Sequence, residues 1–226
     1  KFDSRTNAPF YNESFAIDNF EIRAKHGFKK VSTEENFEYN RGIADGWSLG
    51  DGSEAFLDNE LDIPGAVLGR FSGAQDVEKV FKVSDTTEIA IVNFDFIEFD
   101  SWDEERFKVW INGIEVNLGK FQGHENDEQY RSGATDGISW QFSSENPSDI
   151  DGSHDRWMDQ VHKVTMYIPK QHLVGDSFKI KFDSDTMSGV QDESYGIYNF
   201  KIETLQSKHI VVAAENFDVG AYGWSN

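Results

Sequence analysis

Cysteine is absent from the 226 residues. That excludes disulfides, thiolate metal sites and cysteine nucleophiles. A long exported chain can dispense with cysteine to escape mispairing and draw its rigidity from calcium instead. Basic residues are few: 21 Lys and Arg stand against 41 Asp and Glu, a net charge of −20. Binding to phosphate backbones or anionic bilayers depends on clustered Lys and Arg, so nucleic acid and direct membrane insertion are poor partners for this chain. No apolar run approaches the length of a membrane span, and no signal peptide opens the chain, as expected of a segment from within a longer protein. Sequence signatures of catalysis are missing too. There is no GxSxG, P-loop or HExxH, and His26, His124, His154, His162, His172 and His209 show no zinc spacing. Gly50-Asp51-Gly52-Ser53-Glu54-Ala55 matches a loose GxGxxA string but lacks the strand and helix that would hold a pyrophosphate, so it reads as a turn. With 41 acids, paired carboxylates arise without selection for glycoside chemistry. The expectation is a protein that is not an enzyme.

What the chain does contain is apolar and aromatic. Hydrophobic residues make up 38% and aromatics 14%, with 19 Phe, enough for a folded core rather than an acidic disordered tail. It also contains itself. At an offset of 180, Lys1, Phe2, Asp3, Ser4, Thr6, Glu13, Ser14, Ile17, Asn19, Phe20 and Ile22 all recur, 11 of the first 26 positions. Chance would give roughly one or two. Glu35-Asn36-Phe37 returns in register as Glu215-Asn216-Phe217, and Gly46-Trp47-Ser48 returns as Gly223-Trp224-Ser225 after a three-residue deletion. A tandem array sampled out of phase follows. On that reading residues 1–30 are closing strands of a preceding copy, 34–205 a complete module and 210–226 the opening strand of the next, with neighbouring copies as partners. The competing reading is two similar motifs inside one self-standing domain.

Local patterning is that of strands. In RFKVWINGIEVNL, residues 106–118, Phe107, Val109 and Ile111 alternate with polar positions, Asn112-Gly113 breaks the run, and Ile114, Val116 and Leu118 resume it. Asn-Gly tolerates the positive φ angles of a type I′ turn, so a hairpin is predicted. Phe178, Ile180 and Phe182 alternate likewise, as do Val164, Met166 and Ile168. Residues 88–99 are too densely apolar for a one-sided strand and suit a central strand covered on both faces. No helical stretch longer than a turn or two stands out. The predicted fold is all-β, an antiparallel β-sandwich of jelly-roll type. Gly119–Gln160 breaks the periodicity with many acids and reads as long loops, the place to look for a site.

Two acidic clusters there and nearby are candidate calcium ligands. Asp149-Ile150-Asp151-Gly152-Ser153-His154-Asp155 places Asp149, Asp151 and Asp155 on a turn-forming backbone, although His154 and Gln160 break the EF-hand pattern. The alternative is an Asx-rich turn without an ion. In FDFIEFDSWDEE, Asp95, Glu98, Asp100 and Asp103 sit where a buried strand runs into a turn, and buried acids are costly unless paired or ion-bound. Here the alternative is that Asp100 and Asp103 cap the turn while Trp102 plugs the core. Trp140 and Trp157 flank the acidic segment and are the tryptophans expected to lie exposed for a carbohydrate or peptide ligand.

The order of GWS (46–48), LGRF (68–71), FDFIEFDSWDEE (94–105), NG (112–113), WMDQVHKV (157–164) and DESYGIYNFKI (192–202) resembles a family of extracellular β-sandwich modules. These occur in very large repetitive surface proteins, including calcium-dependent bacterial adhesins of the RTX type and surface proteins of protists. The closing motif is also similar to that of jelly-roll carbohydrate-binding modules. The resemblance implies an extracellular or cell-surface location, adhesion or scaffolding, and bound calcium. One departure stands out: Asp18 in IDNF is replaced by Tyr198 in IYNF, which puts an ion site near the end of the central module in doubt. The runner-up reading is a ligand-binding sandwich, for carbohydrate or peptide, of a large surface adhesin.

Overall fold

The computed structural model describes residues 20–35, 37, 42–73, 75–122, 130–152 and 157–215, with side chains from 33 to 206 within those ranges. Among them the chain is built from strands, and its one helical element is a single 3₁₀ turn, Lys170–His172. The first half contributes β1 (Phe20–Glu35), β2 (Ile43–Leu49), β3 (Glu54–Asp58), β4 (Val67–Phe71), β5 (Val77–Lys82) and β6 (Thr87–Asp100). The hairpin of β7 (Asp103–Ile111) and β8 (Ile114–Gln122) follows, then β9 (Tyr130–Thr135) and β10 (Ile138–Ser144). β11 (Gln160–Pro169), β12 (Ser177–Ser184) and the long β13 (Glu193–Glu215) complete the set.

By contacts the chain divides into two compact units, one running Phe28–Gln206 and the other made of Lys1–Gly27 with Ser207–Asn226. The strand order is β8-β7-β12-β5-β2-β3-β4-β13-β6-β11-β10-β9, with β1 paired to β13. Every ladder with an assigned register in this path is antiparallel. The all-β antiparallel expectation therefore holds, as one large sheet that nearly closes into a barrel.

β6 lies between β13 and β11 and is covered on both faces, as its density of apolar residues demands. On one side Phe94 and Phe96 meet Phe107, Phe182 and Phe200, with Phe96 and Phe107 stacked at 4.0 Å between ring centroids. On the other, Ile97 and Phe99 pack with Leu61, Val67 and Ile150. Each ring so buried contributes about 2 kcal/mol through area removed from water.

The β7–β8 hairpin turns at Asn112 (φ 49°) and Gly113 (φ 87°), both left-handed as a type I′ turn requires. The Asn112 side chain adds an anchor: its Nδ2 donates to His172 O at 2.6 Å, and its Oδ1 accepts from Lys179 N at 2.8 Å. Asn112→Ala removes both bonds and the residue type that tolerates this φ. We expect a loss of about 2 kcal/mol in denaturant unfolding, with Asn112→Gly recovering only the backbone share.

Gly50–Ser53 forms a turn, with Asp51 Oδ1 accepting from both the N–H and the hydroxyl of Ser53. The expectation of long loops over Gly119–Gln160 needs correction. β8 runs on to Gln122, and β9 and β10 form a second hairpin around Asp136 (φ 49°) and Gly137 (φ 81°). Ile138, Trp140 and Phe142 alternate inward in β10, a period-2 pattern that the surrounding acids obscure.

Candidate cation-binding corner

Three chain segments converge where β6 ends. β6 pairs with β11 so that Glu98 faces Gln160, and Ser148 forms an isolated bridge to Asp159. Asp100 terminates β6 in the left-handed region at φ 63°. Asp159, buried just before β11, ties the segments together. Its Oδ1 accepts from Asp100 N at 3.1 Å, and its Oδ2 accepts from Ile150 N at 2.6 Å and Asp151 N at 3.0 Å. Carboxylate oxygens of Asp100, Asp151 and Asp159 lie within 4.8 Å of one another. Arg70 of β4 reaches the same corner. Its Nη1 donates to Asp151 Oδ2 at 2.8 Å, its Nε lies 3.5 Å from Asp58, and its guanidinium rests 5.3 Å from the Phe99 ring centroid.

The electrostatics are those of crowded acids. Burial pushes the Asp159 carboxyl up to about 6; the three backbone donors oppose that rise and the Asp151 charge adds to it. The donor set consists of hard oxygens only, from three segments held by main-chain hydrogen bonds. A hard divalent cation takes six to eight such oxygens, with backbone carbonyls and water supplying the rest. The trio could therefore hold a metal ion.

The two acidic clusters distinguished in the sequence each contribute one member here: Asp100 from one, Asp151 from the other. The others stand apart from this trio. Asp95 is buried on β6, with its Oδ2 accepting from Asn199 Nδ2 at 2.6 Å, and burial raises its pKa. Asp103 is exposed at the start of β7, Asp149 is partly buried beside the corner, and Asp155 lies outside the described residues. Asp159 and Arg70 carry no local sequence signal for this corner. Asp159 sits eight positions after Asp151 in the same acidic segment, beyond any turn motif, and Arg70 appears only inside LGRF. Trp140 corrects the expectation of an exposed ring: it is 9% exposed, belongs to the core and stacks on Phe142. Trp157 is partly buried.

A second polar cluster crosses β10, β11 and β6. Ser144 Oγ and His162 Nδ1 are 2.8 Å apart, and His162 Nε2 lies 3.0 Å from Glu98 Oε2. The order Ser–His–Glu invites comparison with a nucleophilic triad. However, His162 and Glu98 are fully buried, and the imidazole is enclosed by Phe96, Phe121 and Phe142. No substrate reaches the imidazole, and the ladder instead fixes the register of three strands.

Burial lifts the Glu98 carboxyl from an ordinary 4.5 to about 8, the nearby Arg131 charge opposing the rise and Glu105 and Asp159 adding to it. A raised carboxyl pKa means that the folded state holds the proton more tightly than the unfolded chain. That stabilisation is complete below about 4.5 and is lost as pH rises through about 8, and Asp159 acts in the same direction between 3.8 and about 6. In EDTA, the melting temperature is expected to be higher at pH 6 than at pH 9, and Glu98→Gln should flatten that dependence. A wild-type melting temperature that rises with pH would contradict the assignment.

Comparison with protein-family models, curated proteins and solved structures finds no match to this chain.

Proposed function

We propose that the chain is a non-enzymatic tandem-repeat module of a long extracellular adhesin or filament, stabilised by calcium. The observation that carries this reading is the 180-residue repeat in the sequence. The finer fold class we propose for this sheet is a β-sandwich of jelly-roll type. Calcium supplies the charge that the corner at Asp100, Asp151 and Asp159 calls for. The acidic, cysteine-free composition suits an extracellular or cell-surface location rich in divalent ions.

The coding sequence on either side of these residues tests the repeat directly. Further copies at the same period are expected, and unrelated flanking domains would contradict the reading. Docking between separate copies is a distinct matter, since exposed strand edges recruit other chains. With like charge at −20, association should need divalent ions more than monovalent salt. If copies dock through their terminal strands, deleting residues 1–22 will lower the sedimentation coefficient measured at high concentration in calcium. An unchanged value would rule out non-covalent docking and leave only covalent linkage.

A further inference from the structure

Arg70 is a cation already standing at the acidic corner, and its surroundings hold it there. The guanidinium, carried by β4, lies against the fully buried Phe99 ring of β6, and only 15% of the side chain is exposed. Asp58, which ends β3, lies 3.5 Å from Nε, while Asp151 Oδ2 accepts from Nη1 at 2.8 Å. Two carboxylates and an aromatic face leave the planar fork little reason to swing into solvent.

Asp151 is thereby shared between two neighbours. One of its oxygens belongs to the trio with Asp100 and Asp159, all within 4.8 Å of one another. A hard divalent cation holds each carboxylate oxygen at about 2.3–2.6 Å. With Asp151 as a ligand, the ion would stand within about 8 Å of the guanidinium, roughly one Debye length, where salt screens like-charge repulsion only in part. The guanidinium has donors alone and cannot itself become a ligand.

From this we infer that Arg70 is the resident counter-ion of the corner. Without a metal it holds Asp151 beside two other acids, and it competes with a divalent ion for that carboxylate. Arg70 is thus a positioning residue that sets the concentration at which the ion takes over. The inference rests on the calcium reading of this corner.

The test is calcium titration calorimetry at neutral pH, with melting curves in EDTA and in millimolar calcium, on the wild type, Arg70→Gln and Arg70→Lys. Arg70→Gln is expected to melt below the wild type in EDTA, because the acids lose their counter-charge. It should nevertheless bind calcium about tenfold more tightly, the Coulomb effect of one charge on a divalent ion at this range. Its calcium-induced melting shift should therefore be the larger one. Arg70→Lys keeps the charge and should stay within about threefold of wild-type affinity. A merely structural Arg70 would lower both melting curves together at unchanged affinity; that result overturns the inference and leaves the calcium reading standing. Weaker calcium binding by Arg70→Gln overturns it in the same way. Binding by Arg70→Gln but not by the wild type supports the inference, with Arg70 then holding the corner outright. Binding by neither overturns it together with the calcium reading. If Arg70→Gln fails to fold, Asp58→Asn decides. With that partner neutral the guanidinium turns wholly to Asp151, and calcium should bind about threefold more weakly; an unchanged or tighter constant overturns the inference.

Discussion

Asp159→Ala is expected to cost about 4 kcal/mol in denaturant unfolding, the largest effect of any single substitution in the acidic corner. The side chain accepts from three main-chain donors, Asp100 N, Ile150 N and Asp151 N, two of them in buried hydrogen bonds. Truncation leaves those N–H groups without their acceptor, and each such loss costs roughly 1–3 kcal/mol. The deletion also removes an acid that burial penalises, which offsets part of the loss. Asp159→Asn separates the contributions. Its amide carries one oxygen, so it serves the Asp100 side or the Ile150–Asp151 side and presents N–H₂ to the other. About half the destabilisation, roughly 2 kcal/mol, should remain. If Asp159→Ala unfolds at the wild-type denaturant midpoint with an unchanged slope, Asp159 does not hold these segments together.

How far the sequence shows this arrangement depends on the range of the interaction. The Asn112-Gly113 hairpin is legible because the turn and both alternating strands lie within a dozen residues. β6 is legible because a strand covered on both faces carries apolar side chains on both. The β9–β10 hairpin is nearly as local, with Asp136-Gly137 between alternating positions, yet the flanking acids mask it. The corner itself is not local. Asp100 and Asp151 read as members of separate clusters because only the β6–β11 ladder, setting Glu98 opposite Gln160, brings their segments together. Arg70 arrives from β4, a strand with no charge pattern to announce a partner. Trp140 was expected at the surface because acidic residues follow it in sequence, whereas strand alternation points its ring inward with Phe142.

Calcium should add to the stability that Asp159 provides. Arg70 pairs with Asp58 and Asp151, while the carboxylates of Asp100, Asp151 and Asp159 lie within 4.8 Å of one another, so a divalent cation would relieve repulsion within that trio. A ligand that binds the folded state alone stabilises it by about 2.7 kcal/mol at a hundredfold excess over its dissociation constant. For a chain of this size that raises the melting temperature by roughly 5–10 °C. Magnesium, smaller and bound to octahedral geometry, should do less. Protons compete for the same oxygens, so the calcium effect should fade as pH drops through about 6, where Asp159 takes up its proton.

Melting of the wild-type chain and of Asp100→Asn, each in EDTA and in millimolar calcium at neutral pH, tests the calcium-stabilised module most directly. The predicted result is a clear upward shift for the wild type and little or none for Asp100→Asn. Superimposable wild-type curves in EDTA and calcium would contradict it, leaving Arg70 to balance the acidic corner without an ion.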